Sequence, residues 1–154
     1  MWKTKEARLI KELNLVTGLT PEGTYTVYAL HPRLEEGQYI GKREIEWAYD
    51  DLYPNYMILG ITHELLHCLT HDFYQSLSDD EKWVFHAMVY LSVDEEMYKR
   101  MNSVKEYFSS PILNSYHPRL ITTARSILPY WEKRVQENFS GNLYDFYKER
   151  PKSA

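Results

Sequence analysis

His63 and His67 stand four residues apart, and Glu64 follows the first of them, in the run His63-Glu64-Leu65-Leu66-His67. On a helix that spacing puts both imidazoles on one face, about 6 Å apart along the axis. Two nitrogens so placed can share one Zn²⁺ at ~2.0–2.1 Å. Glu64 then lies on the adjoining flank, where a carboxylate can orient a metal-activated water and take its proton. Zinc lowers the pKa of a bound water from about 16 to about 7, so hydroxide becomes available at neutral pH. The chemistry is metal-assisted hydrolysis, with His63 and His67 as ligands and Glu64 as general base.

Catalytic zinc usually takes three protein ligands. His71 lies about 12 Å from His63 along the same helix, too far for three imidazoles to meet one ion, and reads as an edge histidine. Asp94, Glu95 and Glu96 come 27 to 29 residues after His67. Glu95 continues the stripe of Val84, Met88, Leu91 and Tyr98, and a carboxylate in an apolar stripe needs a cation. Glu96 falls on the stripe of Val89, Val93 and Arg100. Glu95 is the preferred third ligand and Glu96 the alternative; a solvated helix start is the plain reading of the acidic triplet. His86, on the stripe of Trp83, Tyr90 and Met97, is an outside candidate, as is Asp72.

The elements that must position these residues follow from the pattern along the chain. Residues 3 to 14 carry Leu9, Ile10 and Leu13 on one helical stripe. Gly18 and Thr20-Pro21-Glu22-Gly23 mark a turn. Thr24 to Leu30 alternates as a strand, His31 to Gly37 reads as a loop, and Gln38 to Tyr49 reads as one half-exposed strand. An apolar helix runs from about Tyr56 to Tyr74 and carries the motif. Ser78 and Glu81 form a capping box for a long helical pattern ending near Phe108, with an interruption around Ser92 to Asp94. Ser115 to Pro118 opens a further helix that Pro129 should kink or end. Gly141-Asn142 stops that stretch, and Leu143 to Arg150 adds a short helix. The order predicts a single α+β domain.

Composition bounds the rest. The chain has 154 residues, 44% apolar and 26% charged, which suits one soluble globular domain. Its 14 tyrosines suit half-buried grooves or core edges. A formal charge of −4 without a basic run argues against nucleic acid. The single cysteine, Cys68, excludes an intrachain disulfide and fits a reducing compartment. No run approaches the ~20 apolar residues of a membrane span, and no signal-peptide pattern is present, so a cytoplasmic protein is expected.

The chain resembles the minigluzincins and related compact gluzincin metallopeptidases. The residues that carry the resemblance are Tyr39 to Tyr49, His63-Glu64-Leu65-Leu66-His67, and Asp94-Glu95-Glu96-Met97-Tyr98, within about residues 24 to 108. Thr70 and Phe73 stand where the metzincin pattern needs glycine and histidine. The resemblance implies a minimal zincin, a small sheet packed on an active-site helix and a glutamate helix; the additional C-terminal helices expected over about 112–150 fall outside it. It implies zinc on His63, His67 and a glutamate, with Glu64 as base. Sites of this kind often add a downstream Tyr or His to stabilise the oxyanion, which singles out Tyr116 and His117; a loop that merely caps the next helix is the alternative there.

The expected function is a zinc metallopeptidase whose peptide or protein substrate lies extended along an edge strand around Ile40 to Trp47. The alternative is a non-catalytic or latent zinc-binding regulatory module that retains the fold, with the helical tail covering the cleft in its latent form.

Overall fold

The computed structural model describes residues 2–30, 37–48, 54–87, 92–102 and 118–150. The expected loop after His31 lies mostly outside these residues, and so do Ser109-Ser110-Pro111, Tyr116 and His117.

Helix α1 (Trp2–Thr17) buries Leu9, Leu13 and Val16, spaced at one stripe of a 3.6-residue period. Gly18 ends it in the left-handed region at φ +70°, and its N–H closes on the Asn14 carbonyl at 2.7 Å. Three short strands follow: β1 (Thr26–Leu30), β2 (Gly37–Gly41) and β3 (Glu44–Ala48). They form a mixed sheet in the order β1-β3-β2, with β1 parallel and β2 antiparallel to β3. The single strand expected over residues 38 to 49 is therefore a hairpin, turning at Lys42-Arg43 with a register shift between Tyr39 and Gly41. That turn lacks the Asn-Gly or Asp-Gly signal that marks tight hairpins. β3 is the central strand, and β2 is an edge.

Helix α2 (Pro54–Ser76) packs on β2 and β3 with one side and on α1 and α4 (Ser92–Asn102) with others. Residues 60–68 are buried without a break, as expected of a helix enclosed on every side. The approach to the sheet is close enough to require Gly60, where a Cβ would run into the Trp47 ring. Helix α3 (Asp79–Phe85) begins with the expected capping box: the Ser78 hydroxyl accepts from the Glu81 N–H, and the Glu81 carboxylate accepts from the Ser78 N–H at 3.0 Å. Its C-terminal end widens into a π-type turn at His86 and Ala87.

Helix α5 (Pro118–Gln136) continues past Pro129, so Pro129 does not end it. Pro129 is exposed, so water can satisfy the carbonyl its ring leaves without a donor. Leu120, Ala124, Ile127, Trp131 and Arg134 form the buried stripe. Helix α6 (Leu143–Glu149) starts at an Asn142–Asp145 capping box. One apolar cluster joins Leu9 and Leu13 of α1, Ile45 of β3, Leu66 of α2, Phe85, Met97, Trp131, Leu143 and Tyr147. The C-terminal helices thus share the core of the motif helix. The architecture is a small α+β domain, and no helix among the described residues is long and apolar enough to cross a membrane.

Candidate metal centre

His63, Glu64 and His67 project from the middle of α2, and all three are buried. The α-helical spacing brings the two imidazoles together as the sequence pattern requires: His63 Nε2 and His67 Nε2 are 3.2 Å apart. Two nitrogens bound tetrahedrally to one zinc at ~2.0–2.1 Å stand about 3.3–3.4 Å apart, so this pair already has the span of a zinc ligand edge.

A third imidazole joins them. His86, from the π-type turn that ends α3, has its ring centroid 5.5 Å from that of His63 and 5.4 Å from that of His67; the two α2 rings are 4.9 Å apart. One ligand nitrogen from each of the three lies within 4.8 Å of the others. Among the described residues this is the group of side chains with the geometry to hold a metal ion.

The electrostatics differ from ring to ring. Burial, reinforced by the neighbouring histidines, drives His67 well below its ordinary pKa. Burial and His63 drive His86 down to about 3. Both rings are therefore neutral at physiological pH, each with a lone pair to offer, as metal binding requires. Burial also pushes His63 down, but the Asp94 carboxylate and, to a lesser degree, Glu64 together hold the ring above its ordinary value. Asp94, in the first turn of α4, is almost fully buried and places Oδ2 2.7 Å from His63 Nδ1. A carboxylate on Nδ1 fixes that proton there and leaves Nε2 to face the other rings, the arrangement that orients metal-ligating histidines.

Glu64 is tied to the sheet: its Oε2 accepts from the Tyr39 backbone N–H of β2 at 2.8 Å. The Tyr39 ring lies flat on His67, with centroids 4.9 Å apart and 8° between planes. Cys68, one turn beyond Glu64, donates from Sγ to the Gly41 carbonyl at 3.4 Å. Burial pushes its thiol up to about 11, so it is neither thiolate ligand nor nucleophile at neutral pH.

The two glutamates expected as third ligand are each ion-paired along α4. Glu95 Oε1 pairs with Lys99 at 2.7 Å, and Glu96 Oε1 pairs with Arg100 at 2.7 Å, whose Nη1 also reaches Glu12 of α1 at 2.8 Å. Neither carboxylate belongs to the group of converging ligand atoms. His71 stands at the edge, ring to ring with Tyr39 at 5.9 Å, and Asp72 is exposed and paired with Lys42. No protein-family model, curated protein or solved structure matches the chain.

Two residues at the centre had little sequence signal. Asp94 looked like one member of an acidic helix start, and its partnership with His63 spans 31 residues. Tyr39 contributes a backbone N–H, which no pattern of side-chain types reveals.

Proposed function

We propose that the protein is a zinc-dependent hydrolase of peptide bonds, with His63 and His67 among the metal ligands and Glu64 as the general base. The observation that carries this reading is the convergence of buried imidazoles directly beside a buried glutamate on one helix. A Zn²⁺ ion would take converging imidazoles of this kind as ligands, with Glu64 beside them on the same helix. The donor set fits zinc: neutral imidazole nitrogens at the span of a zinc ligand edge, with an outer carboxylate on one of them.

When bound, zinc polarises the substrate carbonyl and makes water a strong nucleophile at neutral pH. The chain supplies the rest. Asp94 holds the His63 proton on Nδ1. The Tyr39 ring fixes the plane of His67. Glu64 is the base, next to His63 on α2, and its Oε2 is the oxygen that the Tyr39 N–H holds in place. An extended substrate fits along β2 and not β3, because β3 is paired on both sides and has no free edge. Kinship with the compact gluzincins is part of the proposal and rests on the motif helix; a cytoplasmic site of action rests on the lone reduced Cys68.

A latent zinc-binding module is the second reading, supported by the burial of Glu64 and its engagement by the sheet. Glu64→Gln separates the two. The hydrolase reading expects the variant to keep its zinc and lose at least about 10²-fold in the rate of peptide cleavage, because glutamine cannot accept the proton. Cleavage of a casein-derived peptide mixture by zinc-loaded protein, read by mass spectrometry, is the measurement. Equal cleavage by variant and wild type removes Glu64 as base; no cleavage by either, with zinc bound, favours the latent module.

A further inference from the structure

We infer that the third metal ligand is His86, so that the centre is built from three histidines and departs from the two-histidine, one-glutamate set of the gluzincins. The inference concerns the ligand set of the same site as the hydrolase reading, and it rests on that reading only for the presence of a metal.

The argument starts from where each candidate donor is committed. Glu95 and Glu96 lie on α4, and each spends one oxygen on a cation one turn further along: Lys99 at 2.7 Å and Arg100 at 2.7 Å. Arg100 also holds Glu12 and donates nothing to the site, so the Glu96 side of α4 is the α1–α4 seam. Glu95 is the serious rival, because its Oε2 is buried and has no hydrogen-bond partner among the described residues. It nevertheless falls outside the group whose ligand atoms meet. The α4 residue turned toward the histidines is Asp94, and it binds the ring of His63 from behind instead of reaching the ion's position.

His86 has the opposite character. Its ring forms a nearly equilateral triangle with the two α2 rings, with sides of 4.9, 5.4 and 5.5 Å. Three imidazoles with a ligand nitrogen each within 4.8 Å of the others would leave the remaining side of a shared metal for water and substrate, as an open catalytic site requires. The residue caps the C-terminal end of α3, its backbone N–H bonded to the carbonyls of Lys82 and Trp83, so α3 itself carries the ring to the α2 pair. His86 also keeps the cluster free of net anionic ligands. Three neutral imidazoles leave the ion's full double charge on the site, balanced only at a distance by Asp94 and Glu64. Such a set accepts Co²⁺, Ni²⁺ and Cu²⁺ as well as Zn²⁺, since imidazole suits all of them.

The test is metal binding, read without any substrate. The full chain is stripped with a chelator, and Zn²⁺ affinity is measured by competition with a chromogenic chelator for wild type, His86→Ala, Glu95→Gln and Glu96→Gln. His86→Ala should lose more than the ~10–100-fold typical of an outer-sphere partner, while both glutamine variants stay within about threefold of wild type. Loss in Glu95→Gln with retention in His86→Ala overturns the assignment. Should His86→Ala fail to fold, X-ray absorption of the zinc-loaded wild type decides: three imidazoles in the scattering pattern support the assignment, and two imidazoles plus a carboxylate overturn it. No zinc uptake by the wild type overturns it too. Tight zinc binding through His86 without Glu64-dependent cleavage would leave the ligand set standing and defeat the hydrolase reading alone.

Discussion

Asp94 is the partner behind His63, and its effect on metal binding can be read without its touching an ion. Its Oδ2 stands 2.7 Å from His63 Nδ1, deep in the protein. Asp94→Asn keeps the shape but replaces the charge with an amide that must turn its oxygen to Nδ1 to preserve the bond. The proton then stays on Nδ1, but the ring loses the carboxylate that makes Nε2 a stronger donor. The expected outcome is a zinc affinity lower by about 10–100-fold, with the fold intact, measured by chelator competition alongside circular dichroism. An unchanged affinity would make Asp94 a structural partner only. The sign differs from that of a ligand loss: the stoichiometry stays at one zinc at saturating metal.

At the scale of elements, the question is whether α5 and α6 are an appendage over the cleft or part of the body. The geometry favours the body. Trp131, Phe139, Leu143 and Tyr147 belong to the cluster that includes Leu9, Leu66 and Phe85. The buried Arg134 guanidinium clamps the link between the helices, donating to the carbonyls of Ser140 at 2.6 Å, Gly141 at 3.1 Å and Val16 at 3.4 Å. It holds Asn138 and Phe139 in the left-handed region at φ 53° and 58°, a conformation that needs such support. Tyr144 further donates to the Leu69 carbonyl on α2, just past the histidine pair. Deleting residues 140–154 removes Leu143 and Tyr147, each worth roughly 2–5 kcal/mol in a core, from a total of about 5–15. The truncated chain should be unfolded by circular dichroism; a folded and more active product would instead make the tail a cover. Which of these elements the sequence announced follows from the physics of each. The motif helix, the capping box at Ser78 and the stripe of α1 were legible because spacing alone determines which side chains share a face. The β2–β3 turn was not, since Lys42-Arg43 has no turn signature, and neither was the passage of α5 through Pro129, which depends on that residue facing water. Glu95 was expected to meet a cation because a carboxylate in an apolar stripe needs one, and one of its oxygens pairs with Lys99, one turn away. His86 shows the limit most plainly: periodicity places it on a stripe, but only the way α3 ends beside α2 brings it to His63.

For the whole molecule, the three clustered histidines should make stability a function of pH with a maximum near their ordinary value. His67 is held well below 6.5 and His86 at about 3 by burial. As pH falls below 6.5 the unfolded chain takes up two protons that the folded chain refuses, so stability declines by about 1.4 kcal/mol per pH unit for each ring. His63 acts in the other direction. Its folded pKa is raised by Asp94, so its contribution is complete below 6.5 and is lost as pH climbs through the raised value. Burial raises the Asp94 carboxyl as well, which opposes the acid slope above 3.8 with one group against two. The metal-free protein should therefore melt highest near pH 6.5, fall steeply toward pH 5 and fall gently toward pH 8. Zinc changes the alkaline side. To bind, His63 must surrender its second proton, so zinc competes with protons less as pH rises, and the stabilisation it adds should grow between pH 6 and 8. Melting temperatures across pH 4.5 to 8.5, with chelator and with zinc, read both effects at once. A metal-free profile that is flat from pH 5 to 7 would mean the imidazoles are not buried neutral. A zinc increment independent of pH would mean that the ion does not displace a proton from His63, and the metal would then have to sit away from the α2 pair.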